Sequence, residues 1–192
     1  MSNDPAPRVD IALVHYPVLN RRGEVTGSAL TNLDLHDLAR ACRTYGVATY
    51  WLLTPYREQQ ELAARIAAHW TDGYGAGANP DRRQALALVR IGHDLDSALA
   101  ASAEKWGEHP LVVATSAGRR DRQVEYGWLR REIRQGRPVL LVFGTGWGLA
   151  PELSSRMDVF LAPIRGRDGY NHLSVRSAAS IILDRLLAAE YA

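Results

Sequence analysis

Residues 138–151 read Pro138-Val-Leu-Leu-Val-Phe-Gly144-Thr-Gly146-Trp147-Gly148-Leu-Ala-Pro151. The apolar run before Gly144 has the length and composition of a buried strand. It stops abruptly, and three glycines then alternate through a tight loop. Pro151 suits the first turn of a helix, where a missing N–H costs nothing. Glycine lets the backbone turn with positive φ or approach a ligand closely. A strand, a glycine loop and a helix in that order is a common ligand-binding junction of α/β proteins.

Working outward, strands are predicted over 9–15, 48–53, 85–91, 111–115, 139–143 and 158–161. Helices are predicted over 33–45, 57–70, 95–106, 125–134, 152–157 and 174–187. In the first helix Leu35, Leu38, Cys42 and Tyr45 share one face, with Asn32 as its N-cap. Residues 71–81 read as a glycine-rich loop, long enough to be suspected of function. Strand and helix alternate throughout. That pattern predicts an α/β fold, a mostly parallel sheet of five or six strands with helices on both faces. Residues 1–8 read as a disordered lead-in and 9–192 as a single domain.

Composition narrows the classes. The chain of 192 residues is 46% hydrophobic and 23% charged, values of a globular domain with a real core. No apolar run reaches the ~18 residues of a membrane span. The N-terminus lacks the basic-then-apolar pattern of a secretory signal, which predicts a cytoplasmic protein. The single cysteine, Cys42, excludes an intrachain disulfide and reads as a core residue. Net charge is only +2, yet one Lys stands against 22 Arg. Arg is the better fork for phosphate, although codon bias also turns Lys into Arg. The placement of the arginines is the more informative feature.

Several chemistries are absent from the loops. No Gly-Lys-Ser/Thr ends a glycine run, so there is no P-loop. The glycine spacing is G-x-G-x-G after a late strand, not the dinucleotide fingerprint. There is no G-x-S-x-G elbow. The histidines at 15, 36, 69, 93, 109 and 172 form no H-x-x-x-H pair, so no metal is expected. What remains is three late loops, each after a strand: 114–117, 144–149 and 162–178. If their strands are parallel neighbours, they converge on one sheet edge. They offer backbone groups, small residues and apolar walls, with almost no acid. That suits a neutral or zwitterionic ligand carrying an adenine.

These strings carry a resemblance. Phe143-Gly-Thr-Gly-Trp-Gly-Leu-Ala-Pro-Glu152 and Tyr170-Asn-His-Leu-Ser-Val-Arg-Ser-Ala-Ala179 resemble the second and third motifs of the SPOUT superfamily. These are trefoil-knotted, S-adenosylmethionine-dependent methyltransferases. Asn32-Leu-Asp34, Leu38-Ala-Arg40 and Tyr45-Gly-Val47 resemble the first motif. The chain looks most like a small SPOUT group described as predicted RNA methyltransferases. The resemblance implies a C-terminal trefoil knot, a homodimer packed through the knot region, and an RNA substrate. It implies S-adenosylmethionine as donor and S-adenosylhomocysteine as product.

The implied donor pocket is Thr115, Ser116 and Ala117, then Phe143, Gly144, Thr145, Gly146, Trp147 and Gly148. Its third wall is Leu161, Pro163, Ile164, Gly166, Leu173 and Ser174. Two departures stand out. The superfamily's second motif carries an acid after its first glycine, where this chain has Gly146 and Trp147. Its third motif reads Ser-Leu-Asn-Val-Ser, where this chain has Tyr170-Asn-His-Leu-Ser174. The groups that face the acceptor therefore differ from those of the ribose methylators.

Individual residues keep two readings each. Arg40, which matches the motif arginine, either grips the acceptor or is a surface arginine paired with Asp37 or Asp34. His172 is either a general base, for which an imidazole is suited near neutral pH, or a packing residue of its loop. Asp34 and His36 are alternative bases, with duty in the first turn of the helix as the other reading of Asp34. Trp147 walls the donor pocket or stacks on a base, or else makes a dimer contact. Tyr16 and Asn20 are expected near the acceptor. Arg21, Arg22, Arg119, Arg120, Arg122, Arg165 and Arg167 are candidates for RNA phosphates, or solvated charges. Besides an RNA methyltransferase, the residues permit a peptide or metabolite methyltransferase and a non-catalytic RNA-binding dimer.

Overall fold

The computed structural model describes residues 6–189. The chain opens with β1 (Val9–Val14), a small hairpin of β2 (Val18–Leu19) and β3 (Val25–Thr26), and α1 (Asn32–Thr44). Then follow β4 (Thr49–Leu53), α2 (Arg57–Thr71), α3 (Tyr74–Ala78), α4 (Pro80–Leu86) and β5 (Val89–Gly92). The second half runs α5 (Leu95–Trp106), β6 (Leu111–Ala114), β7 (Gln123–Val124) and α6 (Tyr126–Arg134). It ends with β8 (Val139–Gly144), α7 (Pro151–Ser154), β9 (Val159–Leu161) and α8 (Val175–Leu187). Among the described residues, no helix is long and apolar enough to cross a membrane.

The expected parallel sheet is present, with one strand more than the five or six read from sequence. Its order is β5-β4-β1-β8-β6-β9-β7, and every pairing is parallel. The extra strand, β7, is two residues long. It exists because Gln123 and Val124 pair with Phe160 and Leu161, a non-local partnership with no local signature.

Alternation along the strands feeds two cores. Val9, Ile11, Leu13, Leu141 and Phe143 face one layer with Leu35, Leu38, Leu129, Ile182 and Leu183 of α1, α6 and α8. Ala12, Val14, Leu140 and Val142 face the other with Leu95, Ala98, Leu153 and Met157 of α5 and the α7 region. The period of two sorts each strand between them. Cys42 lies fully buried in the first layer, its thiol pushed far up by burial.

Three local readings are corrected. The glycine-rich stretch 71–81 is not a loop but holds α3 and the start of α4. Gly75 packs there against Trp70, where a Cβ would stand 2.6 Å from the ring. The strand read over 85–91 is half helix, because Asn79 caps α4 by accepting from Arg82 N at 2.9 Å and Pro80 opens it. The N-cap of α1 is Thr31, not Asn32. At the other end of the lead-in, residues 1–5 lie outside the described residues, but Arg8 is anchored. Its guanidinium donates to Gly136 O at 2.9 Å and pairs with Glu108 at 2.7 Å.

One topological feature positions the site. β6 and β7 flank β9 on either side, and Ala114 and Gln123 both lie opposite Phe160. The segment 115–122 therefore arches from one neighbour of β9 to the other, and Asn171 beyond β9 donates to Ala117 O of that arch at 2.7 Å. This arrangement is consistent with the knot that the resemblance implies.

Candidate active site

The three late loops leave β6, β8 and β9, which are adjacent in the order β8-β6-β9. Because the strands are parallel, all three loops leave the same edge, as the sequence required. The first two are tied at the base, where Thr115 N donates to Val142 O at 3.0 Å. The first and third meet at Asn171 and Ala117.

The glycine loop is folded by the N-terminal hairpin, a partner that the sequence did not suggest. Trp147 N donates to Leu19 O at 2.9 Å, and Leu19 N donates to Gly148 O at 2.8 Å. Gly146 has φ +59°, and a Cβ there would lie 2.7 Å from Leu19 O. The close backbone approach that Gly146 permits is therefore made to β2. A Cβ on Gly148, by contrast, would meet nothing within 4 Å. Trp147 is 60% exposed, so its ring stands free at the edge.

A polar chain below this loop holds residues that the sequence reading missed. His15 Nδ1 lies 2.9 Å from Ser28 Oγ, Ser28 Oγ lies 2.5 Å from Thr145 Oγ1, and Thr145 donates to Val14 O at 3.0 Å. His15 is buried, and its Nε2 has no hydrogen-bond partner. Burial lowers its pKa, with the Asp34 charge partly opposing. The only prior sign was a histidine at the C-terminal end of the first strand.

The third loop turns at Asp168 and Gly169, both at positive φ. Tyr170 N donates to Arg167 O at 3.3 Å, and the Tyr170 and His172 rings stack at 6.4 Å. His172, Leu173 and Ser174 are exposed. Ser174 caps α8, accepting from Ser177 N at 3.3 Å. Pro163 and Ile164 are half-buried behind Leu161, which is buried.

Asp34 is buried at the start of α1, and both of its oxygens are engaged. Thr31 Oγ1 donates to it at 2.5 Å, and Arg176 of α8 pairs with it at 3.0 Å. Arg176 also reaches Asp37 at 3.4 Å. The acids expected to pair with Arg40 are thus taken by Arg176, and the exposed Arg40 side chain makes no ion pair among the described residues. Arg40 instead lines an open groove of about 410 Å³ between α1 and α8, with Asp37, Arg176 and Ser177. This groove reaches the first turn of α8, the helix that the third loop enters.

Two expected acceptor-side residues have structural duties. Asn20 accepts from Arg22 N at 2.8 Å and Glu24 N at 3.0 Å, closing the hairpin turn. Tyr16 packs edge-on against Tyr56 at 5.9 Å. Arg21 and Arg22 stand exposed at the hairpin tip. Arg119, Arg120, Arg122, Arg165 and Arg167 are exposed on the first and third loops, which the Asn171 bond joins. Together these five form a basic rim, in which Arg120 donates to Ser116 Oγ at 3.2 Å.

The three-loop edge fits an adenosine-bearing donor in chemistry: backbone amides, small side chains, apolar walls and open space at Gly148. Comparison with known proteins points the same way. A family model described as SAM-dependent RNA methyltransferase matches residues 8–188. A tRNA (guanine-N(1)-)-methyltransferase of Oleidesulfovibrio alaskensis is 47% identical over 95% of this chain. The chain spans only 43% of that relative's length. An uncharacterized protein of Aquifex aeolicus is 40% identical, with 94% of this chain and 88% of that protein covered. Among solved structures, the SpoU methyltransferase AviRb of Streptomyces viridochromogenes, in complex with AdoMet, superposes with a TM-score of 0.56. There the identity is 12%, covering 95% of this chain and 60% of that one.

Proposed function

The chain belongs to the family of SAM-dependent RNA methyltransferases, and from that premise we propose that it methylates RNA, a base or a ribose, at the three-loop edge. The observation that carries the reading is the adjacency of β8, β6 and β9, which puts the three late loops on one sheet edge. S-adenosylmethionine, when bound, supplies a methyl group activated by its sulfonium, and S-adenosylhomocysteine is what remains.

The residues proposed to hold the donor are Thr115–Ala117, Phe143–Gly148, Leu161, Pro163, Ile164, Gly166, Leu173 and Ser174. Their contribution is orientation: main-chain donors and acceptors fix the ligand, and apolar walls exclude water. Arg40 and His172 are the proposed acceptor-side residues. Both are exposed, and among the described residues neither makes a side-chain ion pair. Asp34 fits a different duty, since its carboxylate is occupied by Thr31 and Arg176. We assign it to holding Arg176 and the start of α8.

The acceptor named for the curated relative, guanine N1 of tRNA, belongs to a protein of which this chain spans 43%. It is the first acceptor to assay. The basic rim of the first and third loops supports RNA as the substrate class. A homodimer is supported by large apolar side chains left exposed: Leu33 at 60% in α1, and Tyr170 at 74% and Leu173 at 43% in the third loop. The implied knot and a cytoplasmic location, where RNA is met, belong to the same reading.

Two measurements test it. Calorimetry with S-adenosylmethionine is expected to show one site per chain in the wild type and none in Gly146→Val. That variant forces a side chain against Leu19 O and displaces the glycine loop. Donor affinity unchanged in Gly146→Val moves the pocket elsewhere. Radiolabelled methyl transfer is expected into total tRNA or rRNA, with nucleoside mass analysis naming the atom. Transfer only into peptide or metabolite pools, or donor binding with no transfer to any pool, would overturn the RNA methyltransferase reading.

A further inference from the structure

A second groove runs along the other side of α1, between α1, α2 and α4, with a volume of about 550 Å³. Its walls carry three guanidinium groups, Arg40, Arg65 and Arg82, with His36, His69 and Trp70. One carboxylate lines it, Asp37, and that group is already committed to Arg176 Nε at 3.4 Å. The groove is therefore cationic in effect as well as in composition.

The arginines are arranged for an external partner. The side chains of Arg40 and Arg65 are exposed and, among the described residues, make no hydrogen bond or ion pair. Arg82 is held differently. Its guanidinium lies over the Trp70 ring at 4.5 Å, and its buried Nε has no hydrogen-bond partner. The edges of the same indole are closed by His36 at 5.6 Å and His69 at 5.0 Å. Trp70 thus serves as a platform for Arg82. Stacking on an aromatic ring orients a guanidinium while leaving its terminal N–H groups to donate outward. A planar fork of donors matches the oxygens of a phosphate.

We propose that this groove binds backbone phosphates of the RNA substrate, through Arg65 and Arg82 with Arg40 linking it to the catalytic edge. The inference rests on the RNA reading above and names where the substrate extends beyond the reacting nucleotide. Continuity supports it. Arg40 and Asp37 line both this groove and the one between α1 and α8. The latter reaches Arg176 and Ser177, in the first turn after the third loop. RNA lying along α1 would enter the three-loop edge from that side. Contacts of this kind set register and affinity without reading sequence.

The test uses the full chain and an unmodified tRNA transcript, with affinity measured by fluorescence anisotropy from 50 to 300 mM KCl, a range set by the salt sensitivity of phosphate contacts. Arg65→Glu, Arg82→Gln and the double variant are compared with wild type, each checked by circular dichroism melting. The double variant is expected to lose about tenfold or more in affinity at low salt, and its log–log salt slope to become shallower by roughly 1.5, from two lost phosphate contacts. Arg65→Glu alone, an exposed change that leaves the Trp70 platform intact, is expected to lose part of both. S-adenosylmethionine affinity is expected to stay as in wild type. Folded variants that bind the transcript with wild-type affinity and slope would overturn the groove while leaving the catalytic reading intact. A wild type that binds S-adenosylmethionine but no transcript would overturn both the groove and the RNA substrate. Competition by millimolar AMP that disappears in the variants, with transcript binding unchanged, would make this a free-nucleotide site and also overturn the proposal.

Discussion

At the scale of single residues, His15 is a group whose protonation the fold controls near neutral pH. It sits at the end of β1 with Nδ1 on Ser28 and Nε2 unpartnered. Burial holds its pKa below the ordinary histidine value of 6.5, against the pull of Asp34. The folded state therefore keeps the ring neutral where an unfolded chain would protonate it. The stabilisation tied to this group is complete above the unfolded value, about pH 6.5. It falls as pH drops through 6.5 toward the folded value, with a slope of at most about 1.4 kcal/mol per pH unit. Urea unfolding at pH 7.5 and pH 5.5 checks this. His15→Gln is expected to lose less stability between the two than wild type. An identical loss would mean that His15 is not the group responsible. The same residue marks a limit of reading sequence, since nothing local announces that Ser28 and Thr145 will meet it.

At the scale of elements, the chain's one lysine has a definite task. Lys105 on α5 pairs with Asp10 of β1, which is fully buried. It also donates to Thr49 Oγ1 at 2.8 Å and lies over Trp106 at 4.4 Å. Ser102 and Trp106 complete the acid's shell, at 2.8 and 3.0 Å. This cluster fixes α5 on the outer core layer. Lys105→Met keeps the stem on Trp106 but leaves a buried carboxylate without its cation. It is expected to cost about 2–3 kcal/mol, since the lysine is partly exposed and the acid keeps two neutral donors. Adding Asp10→Asn is expected to recover part of that loss in urea melts. Full additivity of the two would show that the pair is not coupled.

Elements were the level most legible in the sequence. Strong periods gave α5 and the buried strands β1, β6 and β8 to within a residue. Weak or mixed signals did not survive: the Ala-Leu alternation before Val89 suits helix and strand equally, and the cap at Asn79 decided for helix. β7 is a strand only because β9 lies beside it.

At the scale of the whole molecule, the prediction is association. Leu33 is exposed at the start of α1, which the Arg176–Asp34 bridge joins to α8, and Tyr170 is exposed in the third loop. Sedimentation equilibrium is expected to give a dimer for wild type and a monomer for Leu33→Glu combined with Tyr170→Glu. A monomeric wild type would remove the dimer from the functional reading.

The sequence by itself determined the α/β alternation, the ligand edge at the late glycine loop, and the strings on which the family resemblance rests. Those are properties of short windows, carried by periods of two and 3.6 and by glycine placement. The tertiary structure alone decided the rest. It seated the N-terminal hairpin on Gly146, gave Asp34 and Asp37 to Arg176 instead of Arg40, and turned the stretch 71–86 into helices facing a basic groove. Each of these depends on groups far apart in the chain meeting across packed elements. Burial and pairing at that distance leave no trace in the local pattern of residues.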